Sequence, residues 1–279
     1  MAIKNYKNLD SSDFDRTVWR YLTFPKYISL LTYGALWFSK LNILIDTYEG
    51  ALPAKADAEM LAEHQKYKAI FDPALHAQLD SMNKKNVEDG RELTLANCWF
   101  ISDLESENMW KEYAAGPEGV AIKSTVRLLS QFVFCDPRVS KIGRVQYVDL
   151  DTFTMNHYEA SQAQERAFLK RLNFSHEQEL RIVTMSLKGP MCVDTDGTPM
   201  RPEDYQGAGM NNFENSGLYI RADLKKIIRS TVLAPGAAKW FELLVKRIVH
   251  LSKIGGSVER SVLENKGVTG APAHDGLPD

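Results

Sequence analysis

The chain has 279 residues, of which 44% are hydrophobic and 25% charged, enough apolar side chain to bury a sizeable core in one large domain or two small ones. Its formal net charge of −2 excludes the overall basic field that makes nucleic-acid binding a default, so any such contact has to be local. Cys98, Cys135 and Cys192 lie far apart without CxxC or Cys/His ligand spacing, which fits reduced thiols and argues against a structural zinc. The first residues lack an apolar signal core and no stretch reaches the apolar length of a membrane span, so a soluble, cytoplasmic protein without a membrane partner is expected.

Residues 1–16 are polar and read as an arm ahead of a single α+β domain over 17–265. Residues 17–22 alternate as a strand, with Trp19 and Tyr21 on one side and Val18, Arg20 and Leu22 on the other. That places the Arg20 guanidinium among apolar neighbours, where it needs an anion: a protein carboxylate or a ligand phosphate. Thr23 can cap the helix that follows, Pro25 suits its first turn and Gly34 closes it, before a second strand at 35–39. Residues 42–50 form a loop carrying Asp46, Tyr48 and Glu49, either a functional loop or a plain turn built on Asp46 and Gly50. Apolar residues at helical spacing, divided by Pro73, predict a helical insertion over about 54–90. His64 and His76 lie in it without a HExxH partner and read as structural or surface residues.

A third strand over 96–102 leads to Ser102-x-x-Glu105, the spacing of a capping box, and to a helix whose Met109, Trp110 and Tyr113 form a packing stripe. A fourth strand at 118–123, a helix capped by Ser124 or Thr125, a fifth strand at 142–148 and a helix over 162–172 follow. Residues 189–217 are rich in Gly, Pro, Asp and Asn and read as a long mobile flap. The calcium-like start at 194–197 is rejected because the distal Glu is missing. A strand at 218–221, a short helix from 223, a strand at 231–233 and a helix over 238–251 complete the domain, and the Gly/Pro-rich tail 266–279 reads as disordered.

The pattern over residues 176–183 is the pivot of the functional reading. On a strand Leu180 and Ile182 would face the core while Glu177, Glu179 and Arg181 share the other side, the two carboxylates about 7 Å apart. Such a pair can raise one member's proton affinity or grip one substrate; it also fits a solvated face softened by Arg181.

The order Trp19-Arg20-Tyr21, Leu36-Trp37-Phe38-Ser39, Asp46-Thr47-Tyr48-Glu49, Met109-Trp110-x-x-Tyr113-Ala114, Gly119-Val120-Ala121-Ile122 and Glu177-x-Glu179-x-Arg181 resembles a bacterial and phage family known as domain of unknown function 2971. Its members read YRY, LYFS, NDPFE, MWxxYA with GVxI, and ExExR; Ile45 and Thr47 depart from its usual Asn and Pro. An Arg on the first strand, an aromatic-Ser strand and a late Glu-x-Glu strand are in turn similar to the ADP-ribosyltransferase fold. That resemblance implies NAD as co-substrate in a mostly antiparallel mixed sheet with flanking helices. Arg20 would hold phosphate, Ser39 would support Arg20 and the ribose, and Tyr21 or Tyr48 would stack on nicotinamide. Glu179 would stabilise an oxocarbenium-like ribose, and Glu177 would position or deprotonate a protein or nucleic-acid acceptor.

Two other classes stand beside this expectation. A metal-dependent nuclease or hydrolase would gather Asp46, Glu49, Glu177 and Glu179 round magnesium, with Lys123 or Arg181 on a phosphate. A non-catalytic subunit of a phage-defence or toxin system would use the same face to bind a partner.

Overall fold

The computed structural model describes residues 2–68, 81, 85–135, 137–185, 192–193, 199–200 and 216–264. The expected loop at 189–217 and the tail at 266–279 therefore lie largely or wholly outside the described residues, as do Pro73, His76 and the segment 194–197. The architecture is α+β, a mixed and mostly antiparallel sheet with flanking helices.

The strands are β1 Tyr6–Lys7, β2 Thr17–Leu22, β3 Ala35–Lys40, β4 Thr94–Ile101, β5 Val120–Thr125, β6 Lys141–Arg144, β7 Gln146–Val148, β8 Leu169–Arg171, β9 Glu179–Met185, β10 Cys192–Val193, β11 Pro199–Met200, β12 Gly217–Arg221, β13 Ser230–Leu233 and β14 Ser257–Arg260. Ten of them form one sheet with the path β1-β6-β9-β4-β2-β5-β13-β14, and β3 and β12 branch from it. The branch sits on β4, whose one edge is paired with β9 from Thr94 to Phe100. Its other edge is shared: Phe100 and Ile101 pair with Trp19 and Val18 of β2, while Leu95 and Ala96 pair with Lys40 and Ser39 of β3. β2 and β3 thus leave the same edge of β4 as the prongs of a fork, joined by the helix Phe24–Tyr33.

Side-chain alternation on β2 sorts the two faces. Val18 and Leu22 enter the large core, which the helices Phe24–Tyr33, Val126–Phe132 and Lys239–Ser252 help to cover through Leu30, Leu129 and Phe241. Trp19 and Tyr21 join Phe100, Met109 and Trp110 in an aromatic cluster on the opposite face, under the helix Glu107–Tyr113. A third cluster, Leu41, Ala96, Ala167, Phe168 and Val183, continues that face past β4 and β9.

Several expected boundaries move for local reasons. The stretch read as an arm is tied down: β1 pairs in parallel with β6, and Ile3 is fully buried. The cap of the helix Glu107–Tyr113 is Ser106, whose hydroxyl accepts from the Met109 amide, while Ser102 instead accepts from the Leu104 amide. Of Ser124 and Thr125, Thr125 caps the next helix. The expected strand at 142–148 is cut in two, since Gln146–Val148 departs to form a separate parallel pair with β8. The helix expected over 162–172 stops after one turn at Arg166; the chain becomes β8, and Leu172 is exposed. β14 lacked a sequence signal and pairs in parallel with β13. In the insertion, Ala54–Lys68 and residues 85–93 are helical. No helix among the described residues is long and apolar enough to cross a membrane.

Candidate functional site

The fork in the sheet creates a problem that Arg20 solves. Between the two shared ends of β4, Asn97, Cys98 and Trp99 have no ladder partner on the forked edge. Buried carbonyls left there would be costly. Arg20 reaches into the gap and donates to the Cys98 carbonyl at 3.3 Å and the Trp37 carbonyl at 3.2 Å, while the Asn97 amide donates to the same Trp37 oxygen at 2.7 Å. Its guanidinium also lies 5.9 Å from the centre of the Trp99 ring. Among the described residues Arg20 makes no ion pair, which answers the question its sequence position raised: carbonyls, not a carboxylate, hold it. Burial lowers its pKa to about 10, so it remains a cation at neutral pH.

The fork opens into a cleft of about 900 Å³, lined by Arg20, Tyr21, Ser39, Glu177 and Glu179 together with Asp46, Glu49, Lys170 and Arg181. Arg20 and the paired glutamates, far apart in sequence, thus share one cleft. They are close in topology too, because Cys98, whose carbonyl Arg20 binds, is the strand partner of Arg181.

Glu177 and Glu179 do not alternate along one strand. Glu177 ends the 3-10 helix Leu172–Glu177, and Gln178 takes a left-handed conformation (φ 38°, ψ 53°) before β9 begins at Glu179. That turn cancels the expected spacing and brings both carboxylates to one ammonium. Lys170 on β8 donates to Glu177 Oε2 at 2.5 Å and Glu179 Oε1 at 2.9 Å, and lies 3.3 Å from Glu49 Oε1. Arg181 is fully buried and grips Glu49 with both terminal nitrogens, at 2.7 and 2.9 Å. Its Nε donates to Glu179 Oε2 and its Nη1 to the Ala167 carbonyl at 2.7 Å.

This buried network holds three carboxylates against two cations, so with every group ionised it carries one negative charge too many. The excess falls on Glu177. Burial, with the hydrogen bond and charge of Glu179, pushes its pKa up to about 8, whereas Arg181, the Glu177 hydrogen bond and Lys170 overcome burial and hold Glu179 well below the usual carboxylate range. Burial opposes the charges on Lys170 and Arg181, but the carboxylates outweigh it and raise both. Near neutral pH the pair therefore shares one proton, kept on Glu177. Cys98 also lines the cleft, but burial and Glu179 push its thiol up to about 12, which makes it a poor nucleophile.

Other expected positions turn out differently. Ser39 lines the cleft but accepts from Trp37 Nε1 at 2.9 Å and does not touch Arg20, so it does not support the guanidinium. Tyr21 is buried in the aromatic cluster, 4.9 Å from Trp110 in edge-on contact, and its hydroxyl accepts from the Ser106 amide; packing holds its ring. Tyr48 does not line the cleft: it is half exposed with the Arg171 guanidinium 4.7 Å from its ring. Asp46 builds the loop turn, accepting from the Tyr48 amide at 3.0 Å, and pairs with Arg171 at 2.8 Å. Asp46 and Glu49 are thus committed to arginines, and Lys123 pairs with Glu259 at 2.8 Å, away from the cleft, so the expected four-carboxylate metal cluster does not form. A different group does come together at the cleft wall: ligand atoms of Glu112, His176 and Glu177 lie within 4.8 Å of one another.

Sequence reasoning missed Lys170, because the segment around it read as helix and a helical Lys170 would have no fixed relation to β9. It also left Tyr113 in a packing stripe. The one usable signal for Lys170 was the surplus of acid at 177 and 179, which called for a second cation besides Arg181. No family model, curated protein or solved structure matches the chain.

Proposed function

We propose that the protein is a nucleotide-processing enzyme of ADP-ribosyltransferase type, with NAD as co-substrate and a protein or nucleic-acid acceptor, acting in the cytoplasm in a toxin or phage-defence setting. The observation that carries this reading is the pair Glu177 and Glu179, driven to opposite proton affinities on one lysine, in a cleft that also holds an arginine with no counter-ion among the described residues. Neighbouring acids whose environments split their pKa values mark acid–base chemistry. An arginine lacking a carboxylate suits a phosphate.

In this reading Arg20 binds the NAD phosphates. As the bond from C1′ to the nicotinamide nitrogen breaks, the bonding pair leaves with nicotinamide and positive charge develops on the ribose. Glu179, ionised and pinned by Lys170 and Arg181, is the fixed negative charge beside it. Glu177 takes the proton of the acceptor as the new bond to C1′ forms. A base with a pKa of about 8 is well matched to that step, and transfer should rise with pH up to that value. The test is nicotinamide release from NAD by wild type, Glu179→Gln and Glu177→Gln. Glu179→Gln should lose about a hundredfold or more, the scale of one preorganised contact. Glu177→Gln should keep slow hydrolysis and lose transfer. Wild-type protein that releases no more nicotinamide than the variants, with cell-extract protein and nucleic acid supplied, would refute the proposal.

A metal-dependent hydrolase is the second reading, favoured by Glu112, His176 and Glu177, which form the one His/Cys/Asp/Glu group close enough to share a cation among the described residues. Calorimetry separates the two: heat from NAD without metal supports transfer, heat from magnesium or zinc alone supports hydrolysis.

A further inference from the structure

We infer that Tyr113 is the substrate-binding residue that donates a hydrogen bond to a ribose hydroxyl oxygen at the reacting centre. This rests on the transferase reading above and names how that site recognises its sugar.

The centre is crowded with acceptors and short of free donors, since the proton on Glu177 is given to Glu179. The ammonium of Lys170 is spent on Glu49, Glu177 and Glu179, and Arg181 on Glu49, Glu179 and the Ala167 carbonyl. A sugar hydroxyl placed there can give its proton to a carboxylate, but its own oxygen then needs a donor. Tyr113 meets that need. It lines the cleft, and among the described residues its hydroxyl has no hydrogen-bond partner. Glu177 and Glu179 are among the charges it feels most strongly. Burial, with Glu177 and Glu179 outweighing the opposing Lys170, raises its pKa, so the phenol keeps its proton and has it to donate.

The ring is also held in place before any ligand arrives. The helix Glu107–Tyr113 is capped by Ser106, and its Met109 and Trp110 are buried in the aromatic cluster against which Tyr113 packs. A donor fixed in this way loses little conformational entropy on binding. A phenol in a purely packing role would have no use for its oxygen, and nothing in the described protein employs it.

The experiment is calorimetric titration of wild type and Tyr113→Phe with NAD and with ADP-ribose, which share the ribose, alongside the melting temperature of each protein. The variant should bind both ligands about ten- to a hundredfold more weakly, the range for one hydrogen bond lost at a buried polar group. Its Tm should match wild type, because no protein contact is removed. Equal affinity for both ligands overturns the inference, as does a loss confined to NAD, which would assign the hydroxyl to the nicotinamide. A Tm lowered by several degrees assigns it to the fold and overturns the inference too. Wild type that binds neither ligand removes the transferase reading itself, and the inference with it, a result distinct from all of these.

Discussion

Replacing Lys170 with Met tests the electrostatic account of the site at its centre. The side chain is 6% exposed, and its ammonium contacts Glu177, Glu179 and Glu49 at 2.5, 2.9 and 3.3 Å. Without it, three buried carboxylates face Arg181 alone, so two rather than one must be protonated for the network to be neutral. Removing one partner of a buried pair costs about 3–5 kcal/mol, because the other charges stay buried and uncompensated. At about 2–4 °C per kcal/mol for a chain of roughly this size, Tm should fall by about 6–20 °C at pH 7. The sign with pH follows from linkage. In wild type, Glu179 sits below its unfolded value, so its contribution is present above about pH 4.5 and is lost as pH falls towards its folded value. In the variant the carboxylates lose a cation, their proton affinities rise, and the folded state gains protons as pH falls. The Tm gap should therefore narrow between about pH 7 and pH 5. Thermal melts of both proteins across that range decide the matter. A Lys170→Met protein that melts within about 2 °C of wild type at pH 7, or a gap that widens on acidification, would show that the lysine does not compensate these carboxylates.

Three further outcomes are expected. Glu177 has a folded pKa above its unfolded value, so its stabilising contribution is complete below about pH 4.5 and is lost as pH climbs to about 8; Tm of wild type should fall relative to Glu177→Gln between about pH 5 and 8, and parallel melting curves would count against the raised pKa. At Gln178, the left-handed residue that brings the two glutamates to Lys170, a change to Gly should be tolerated and a change to Val should cost about 1–2 kcal/mol by chemical denaturation; equal stability of the two variants would argue against that turn. Arg20→Gln should weaken NAD binding about tenfold or more in calorimetry, since a charge-assisted contact is lost, and unchanged affinity would remove Arg20 from the phosphate role.

What the sequence determined by itself is whatever depends on neighbours along the chain. The side-to-side alternation of residues 17–22, the helix closed by Gly34 (φ 60°) and the amphipathic helix near the C-terminus are legible because each side chain's direction follows from local backbone period and caps. The same logic marked Arg20 as a cation among apolar neighbours that needs a partner, but its strand alternation for Glu177 and Glu179 was cancelled by the left-handed Gln178. It failed where long-range pairing overrides propensity: residues 169–171 became β8 because β7 offers them a strand partner, and only there does Lys170 point at the glutamates. Those partners were decided by tertiary structure alone. The fork on β4 is a matter of which strands share an edge, and it set Arg20, expected to meet a protein carboxylate or a ligand phosphate, as a bridge between two carbonyls. The division of one proton between Glu177 and Glu179 follows from the count of charges buried together, a sum over β8, the 3-10 helix Leu172–Glu177, β9 and the Glu49 loop that local pattern does not reveal, because electrostatic energy depends on distance in space and on exclusion of water.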